Sequence, residues 1–178
     1  MLVDLRDDRL APWLIAPKAY RDTRALIRKA LGYPDRRLPL LIGIDGLDGA
    51  GKTSLAAWLS WQLEMPAVHL DLYIARDSEP LQYRLVDLAE ALNARTLRQQ
   101  PVIVEGILLL QVLGALNCSI DFLVFVQRVS HQSSLRSLTQ SYVNEFHPRS
   151  KANKVVKWSS ASRDKRIALA HQRRDDTR

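Results

Sequence analysis

The chain has 178 residues, enough for one ordinary domain with a buried core. With 47% hydrophobic and 25% charged residues it has the composition of a globular protein, which excludes an extensively disordered chain. Its net charge of +7 lies entirely in residues 149–178, so it marks a local basic segment and not a uniformly basic protein.

Cysteine content and apolar runs suggest where the protein works. The single cysteine, Cys118, cannot form an internal disulfide and favours a reducing compartment. The longest apolar run, residues 107–116, is far shorter than the ~20 residues of a membrane span. Because the first residues are also acidic, unlike a secretory signal, we expect a cytoplasmic protein that does not enter a membrane.

The N-terminal region is predicted to contain one helix. Residues 1–37 begin irregularly, and Tyr20, Ile27 and Leu31 then follow a helical spacing that Gly32 ends. We predict that residues 1–37 form a helical extension packed on the core. Residues 38–178 would form the main domain, with a lid near 128–151 and a basic C-terminal helix.

From residue 38 onward, short apolar runs alternate with amphipathic stretches, which is typical of a parallel sheet buried on both faces. The predicted strands are 40–44, 67–70, 101–104, 120–126 and 155–156. The predicted helices are 51–63, 80–99, 108–116, 130–146 and 163–173. We therefore expect a three-layer α/β fold with a mostly parallel, roughly five-stranded sheet and helices on both faces. Trp58 and Trp61 would pack in the core, against the N-terminal helix.

Residues 46–53, Gly-Leu-Asp-Gly-Ala-Gly-Lys-Thr, match the pattern G-x-x-x-x-G-K-[ST] between a predicted strand and a predicted helix. Gly46, Gly49 and Gly51 permit positive φ angles and leave no Cβ to block a phosphate. The first amides of the next helix lack intrahelical partners and favour an anion. The motif predicts a P-loop NTPase fold with a nucleotide at this loop.

Two side chains of the motif have individual roles in this prediction. Lys52 would reach the β- and γ-phosphates, and the Thr53 hydroxyl would be a ligand of Mg²⁺. We predict ATP and Mg²⁺ as cofactors, although the sequence does not separate ATP from GTP. The predicted cofactor-binding residues are Gly46, Asp48, Gly49, Ala50, Gly51, Lys52, Thr53 and Ser54.

Two acidic residues follow predicted strands, Asp71 after the second and Glu105 after the third. Ligands in parallel sheets lie at the carboxyl ends of the strands, so both carboxylates would face the nucleotide cleft. There they could position or activate an acceptor hydroxyl or join the magnesium shell. Either residue could instead cap a turn.

These motifs together resemble the uridine kinase and phosphoribulokinase group of P-loop kinases. The resemblance covers about residues 38–126 and depends on the glycine loop, on His-Leu-Asp-Leu-Tyr at 69–73 and on Glu-Gly-Ile-Leu at 105–108. It implies a kinase in which Asp71 accepts the proton of the acceptor hydroxyl and Tyr73 lines the acceptor pocket. Glu105 would then lie near Mg²⁺ or the substrate.

The chain departs from this family in two places. Uridine kinases carry an inserted segment after the Asp-x-x-Tyr region, whereas only residues 74–79 precede the next predicted helix here, which favours a smaller or differently held acceptor. The Arg-Gly-Arg lid of the family is also absent. We predict that Arg136 and Arg149 supply the lid's positive charge, although both could be surface residues. Arg76 and Arg84 would flank the acceptor and could bind an anionic one.

The sequence therefore predicts an ATP-dependent kinase, with a small-molecule alcohol as the acceptor. One alternative is a nucleotide-dependent regulator that contacts a partner through its basic C-terminus. Another is a nucleoside monophosphate kinase. The predicted partners are ATP and a small-molecule acceptor, while nucleic-acid binding by the basic segment and a homodimer stay open.

Overall fold

A computed structural model describes residues 16–76, 81–129 and 136–159. Its helices are α1 (Lys18–Leu31), α2 (Lys52–Leu63), α3 (Leu85–Thr96), α4 (Leu109–Ala115), α5 (Arg136–Phe146) and α6 (Pro148–Lys151), and a 3₁₀ turn covers Leu70–Tyr73. Its strands are β1 (Leu41–Gly46), β2 (Ala67–His69), β3 (Val102–Glu105), β4 (Phe122–Val129) and β5 (Lys154–Ser159).

The five strands form one parallel sheet in the order β2-β3-β1-β4-β5. Central β1 pairs Ile44 with Glu105 of β3, and β2 pairs His69 with the same residue. Strand β1 runs two residues beyond its predicted end because Asp45 and Gly46 continue to pair with β4. All carboxyl ends therefore meet at one edge, the usual place for a ligand in such a sheet.

Strand side chains enter two hydrophobic cores, one on each face of the sheet. Ile103 joins the core formed with α1 and α2, which includes Leu59, while its neighbours Val102 and Val104 join the core formed with α3, α4 and α5, which includes Leu88. This alternation explains why the strands are apolar at every position. Each fully buried leucine or isoleucine contributes about 1.5–3 kcal/mol. The predicted three-layer α/β fold is confirmed.

Helix α1 packs on α2 through the first of these cores. Ile27 and Leu31 are buried there, and the Tyr20 ring lies 5.3 Å from the Trp58 ring. The predicted packing of Trp58 against the N-terminal helix is confirmed. The same prediction is wrong for Trp61, which is 63% exposed, because the buried face of α2 follows positions 55, 59 and 63. The domain boundary at residue 37 stays a prediction.

The helix predicted from residue 80 begins only at Leu85. Before it, the Arg84 N–H donates to the Tyr73 carbonyl at 2.7 Å, and Ile74 forms an antiparallel bridge with Tyr83. We call this paired segment the 73–84 hairpin; residues 77–80 lie outside the described residues. Backbone pairing across the hairpin therefore prevents the first predicted turn of the helix.

Other predicted elements are described only in part. The fourth predicted helix is described from Arg136 onward, while residues 130–135 and the predicted helix at 163–173 lie outside the described residues. Within the described ranges, no helix combines the length and apolar character needed to cross a membrane.

Candidate functional site

The glycine loop leaves the carboxyl end of β1 and leads directly into α2. Gly46, Gly49 and Gly51 have φ angles of 152°, 65° and 91°, which residues with a Cβ rarely adopt. At Gly46 a Cβ would lie 2.2 Å from the carbonyl oxygen of Val126 in β4. Among the described residues no side chain caps the start of α2, whose first amides have no intrahelical partners.

Lys52 is held inside the loop, where its side chain is almost completely buried. The residue is 7% exposed, and its Nζ donates to the Leu47 carbonyl at 2.9 Å. Burial lowers the pKa of Lys52, while nearby carboxylates, Glu105 first, act in the opposite direction. Lys52 is therefore a cation shielded from water. In such surroundings its attraction to phosphate is stronger than in solution.

Thr53, Glu105 and His69 form a hydrogen-bonded group beside the loop. The Oε1 atom of Glu105 accepts from the Thr53 hydroxyl at 3.0 Å and lies 2.7 Å from Nδ1 of His69. Glu105 is 2% exposed, so these contacts replace most of its water. The sequence analysis did not select His69 as a site residue. Only the register between β2 and β3, which pairs His69 with Glu105, could have identified it.

This group fits the needs of Mg²⁺. The ion prefers oxygen ligands and often takes only one or two from protein, with phosphates and water completing its shell. Thr53 Oγ1 and Glu105 Oε1 are two such oxygens, already adjacent to each other and to the loop. Among the described residues, no group of three His, Cys, Asp or Glu side chains could hold a metal ion.

Asp71 does not end β2 as predicted, since the strand stops at His69 and Asp71 lies on the following 3₁₀ turn. The turn is anchored by Leu70, which is fully buried against Gly106. A Cβ at Gly106 would approach Leu70 Cβ to 2.5 Å, so glycine is needed for this contact. The close packing brings the exposed Asp71 to the same edge of the sheet as Glu105.

A cleft of about 480 Å³ joins these groups. We call the part of the lining formed by the glycine loop and the start of α2 the loop side, and the rest of the lining the far side. The loop side consists of Asp48, Gly49, Gly51, Lys52, Thr53 and Ser54. The far side consists of Asp71, Ile74, Tyr83, Glu105, Gly106 and Ile107. Two predicted nucleotide-binding residues, Gly46 and the buried Ala50, are not among the described residues that line the cleft.

Some predicted acceptor residues lie elsewhere. Tyr73 is half-buried against the core of α3, α4 and α5, and Tyr83, which the sequence analysis did not select, lines the cleft instead. Arg76 is exposed and is not among the lining residues. No local sequence pattern identifies Tyr83 as a site residue, because only backbone pairing across the 73–84 hairpin brings it to the cleft.

Of the two predicted lid arginines, the structure describes the side chain of Arg149. Arg149 lies on α6 and lines a separate cavity of about 350 Å³ with Val143 and His147. Arg136 is the first residue of α5, and its side chain lies outside the described part of the chain. Of the four predicted catalytic residues, the structure therefore brings Lys52, Asp71 and Glu105 to one cleft.

A buried carboxylate beneath the loop was also missed by the sequence analysis. Asp45 is fully buried; it accepts from the Gly46 N–H at 2.6 Å and from the Tyr142 hydroxyl. The Tyr142 oxygen in turn accepts from the Leu110 N–H at 3.1 Å. Burial raises the pKa of Asp45 to about 6 despite these hydrogen bonds, and burial together with the Asp45 charge raises the pKa of Tyr142. The pair links the loop to α5.

Comparisons with known proteins bear on the fold. No protein-family model and no curated protein matches this chain. A structure described as a possible uridine kinase from Bacillus stearothermophilus is 18% identical with a TM-score of 0.56; the match covers 78% of this chain and 97% of that one.

Two other solved structures are similar at a lower level. A shikimate kinase from Bacteroides thetaiotaomicron is 14% identical, with a TM-score of 0.35 and coverage of 78% of this chain and 97% of that one. A sugar kinase from a Janibacter species is 10% identical, with a TM-score of 0.42 and coverage of 67% and 84%. At such identities the comparisons concern the fold alone, and the match to the Bacillus structure shows that this chain has the α/β fold of P-loop kinases.

Proposed function

We propose that this protein is an ATP- and Mg²⁺-dependent small-molecule kinase, similar to uridine kinases, that phosphorylates an alcohol. One observation carries the proposal: the glycine loop with its buried lysine lines the same cleft as Asp71 and Glu105. Phosphoryl transfer needs a phosphate cradle and an acceptor-activating group within one site, with little covalent chemistry from the protein.

The loop side would hold the triphosphate. Loop amides and the first turn of α2 bind the phosphate oxygens, and Lys52 neutralises charge on the β- and γ-phosphates. Thr53 and Glu105 would hold Mg²⁺, which when bound offsets charge on the phosphate oxygens. His69 keeps the Glu105 carboxylate in place from the neighbouring strand. Arg136, at the start of α5, remains our candidate for a cation near the transferred group.

The far side would hold the acceptor, with Asp71 as the general base. Its carboxylate takes the proton of the acceptor hydroxyl while the hydroxyl oxygen forms a bond to the γ-phosphorus. The bond between that phosphorus and the β,γ-bridging oxygen breaks, and ADP leaves. Base catalysis of this kind contributes about 10²–10⁴ in rate. The exposed position of Asp71 on the cleft supports this role.

The test is a search for the acceptor with a matched pair of lysine variants. The protein is incubated with ATP·Mg²⁺ and pooled nucleosides, sugars, vitamins and nucleoside monophosphates, and products that gain one phosphoryl group are identified by mass. Lys52→Ala should lower the rate of transfer by about 10²–10³, because a preorganised cation is lost. Lys18→Ala, which changes a 79% exposed side chain on α1, should leave the rate unchanged.

Two results would contradict the proposal. The folded wild-type protein could fail to bind any nucleoside triphosphate in calorimetry with Mg²⁺. Alternatively, it could bind and slowly hydrolyse ATP while no compound in the pool gains a phosphoryl group, which would favour the regulator hypothesis.

A further inference from the structure

The far side of the cleft has a compact apolar wall with a tyrosine in it. Ile74 and Tyr83 face each other as a bridge in the 73–84 hairpin, and both line the cleft together with Ile107. The Tyr83 hydroxyl donates to the Ile107 carbonyl at 3.2 Å, which fixes the ring against the end of β3. Burial, with Asp71 as the next contribution, raises the pKa of Tyr83 to about 12, so its hydroxyl remains a neutral donor.

The hairpin itself is held in place by its backbone. The Ala75 N–H donates to the Gln82 carbonyl at 2.9 Å, and Arg84 and Tyr73 are joined by the hydrogen bond described above. Tyr83 therefore lies on a paired segment and not on an unconstrained loop. A planar side chain held in this way provides contact area at a small cost in conformational entropy.

The exposed charged residue of the far side is Asp71, because Glu105 is 2% exposed and bonded to Thr53 and His69. Lys52, on the loop side, is the one lysine or arginine among the described residues that line the cleft. Arg84 is engaged elsewhere, because its Nη1 donates to Asp87 at 2.6 Å and its Nη2 to the Leu72 carbonyl at 2.7 Å.

The described lining therefore offers an anionic acceptor no cation beyond Lys52, which the triphosphate would occupy. Sites that bind carboxylate or phosphate substrates usually present arginine or lysine to them. An anionic group on the far side would instead meet the exposed Asp71 carboxylate, and such a like-charge contact opposes binding.

We propose that the far side is a subsite for an uncharged alcohol, with Tyr83 as the residue that contacts the body of the acceptor and Asp71 next to its reactive hydroxyl. This inference rests on the proposed kinase function and narrows its substrate class. It revises our sequence-based expectation that Arg76 and Arg84 bind an anionic acceptor. Ile74 and Ile107 complete the apolar part of the subsite.

The experiment compares matched pairs of alcohols that differ by one anionic group. The pairs are pantothenamide with pantothenate and uridine with orotidine, and the two members of each pair carry the same hydroxyl groups. Binding to the full chain is measured by saturation-transfer NMR in the presence of AMP-PNP and Mg²⁺, and transfer from ATP is measured by mass. The uncharged member of at least one pair should bind, and its kcat/KM should exceed that of its partner by about tenfold or more.

Two tyrosine variants test the assigned residue. Tyr83→Leu should lower kcat/KM for the uncharged acceptor by about tenfold while the KM for ATP stays within about twofold. Tyr33→Leu, at a residue that is 79% exposed and outside the cleft, should change neither value. Tyr83→Phe, which keeps the ring, should retain most of the acceptor binding and guards against a folding defect in the leucine variant.

The outcomes separate this inference from the proposed function. The inference is wrong if no uncharged member binds, if an anionic member binds as tightly as its partner, or if Tyr83→Leu leaves acceptor kinetics unchanged. Binding of ATP and transfer to an anionic member would overturn the inference while supporting the kinase. Failure to bind any nucleotide would instead overturn the kinase function itself.

Discussion

The loop side and the far side of the cleft are built in different ways. The loop side comes from one continuous part of the chain, the glycine loop and the start of α2, whose shape is set by glycines at fixed positions, Gly46 among them. The far side is assembled from the 3₁₀ turn, the 73–84 hairpin and the end of β3. One wall is therefore encoded by adjacent residues and the other by tertiary contacts, so substitutions on the two walls should affect different ligands.

The largest effect is expected for Gly46→Ala on the loop side. The new Cβ would lie 2.2 Å from the Val126 carbonyl, and β1 cannot move aside because it is paired on both edges. We expect the free energy of unfolding to fall by about 3 kcal/mol or more and nucleotide affinity to be lost. Urea denaturation and calorimetry with ATP·Mg²⁺ measure these two quantities.

Gly114→Ala is the control for this change. Gly114 lies in α4, and a Cβ there has no neighbour within 4 Å, so the substitution should stabilise the protein by about 0.5–1 kcal/mol. If Gly46→Ala were as stable as Gly114→Ala and still bound nucleotide, the described path of the loop would be wrong.

The next largest effect should come from Asp71→Asn on the far side. Loss of the base should lower the single-turnover rate of phosphoryl transfer by about 10²–10⁴ with the true acceptor, while the affinity for ATP stays the same. The rate and the affinity should respond differently because Asp71 lies on the 3₁₀ turn and is not part of the glycine loop. Rapid-quench kinetics and nucleotide titration measure the rate and the affinity.

Asp87→Asn is the matched control, because Asp87 is an exposed carboxylate on α3 that pairs with Arg84 outside the cleft. Its single-turnover rate should equal that of the wild type. A near-normal rate for Asp71→Asn would mean that another group accepts the proton.

The same contrast determines how much the sequence could predict. Alternating apolar segments and the glycine motif are local patterns, and they correctly predicted the sheet, the helices on both faces and the position of the loop. The 73–84 hairpin was missed because the leucine spacing from Leu81 onward also fits a helix. His69 and Tyr142 were missed because their partners are 36 and 97 positions away in the chain. Such pairs follow from strand register and helix packing, which no local pattern contains.

A smaller effect is expected for His69→Ala. This variant tests whether His69 positions Glu105, which also contacts Thr53 on the loop side. The alanine variant leaves the Glu105 carboxylate with one fewer hydrogen bond, so it should require about tenfold more Mg²⁺ to bind ATP. His69→Asn, whose amide can donate from near the Nδ1 position, should restore most of the affinity. The Mg²⁺ concentration needed for binding is measured by titrating Mg²⁺ in the presence of a fluorescent ATP analogue. Equal Mg²⁺ requirements in the wild type, His69→Ala and His69→Asn would exclude a positioning role for His69.

The smallest effect concerns Asp45, beneath the loop, and appears in the pH dependence of stability. Its pKa is raised by burial to about 6, above the ordinary value of 3.8, so the folded state binds this proton more tightly than the unfolded state. The stability that the group contributes is thus fully present below about pH 4 and is lost as the pH rises through 6.

Asp45→Asn removes this titration and so isolates it from the other carboxylates of the protein. The free energy of unfolding of the wild type, relative to Asp45→Asn, should decrease between pH 4 and pH 7 in urea titrations without nucleotide. Tyr142→Phe sharpens the test, since the Tyr142 hydrogen bond lowers the pKa of Asp45, and its removal should move the decrease to higher pH. A difference between wild type and Asp45→Asn that is constant across this range would show that Asp45 does not titrate there. The link between the loop and α5 would then be a hydrogen bond to a carboxylate that stays charged, a property of the loop side that no motif in the sequence records.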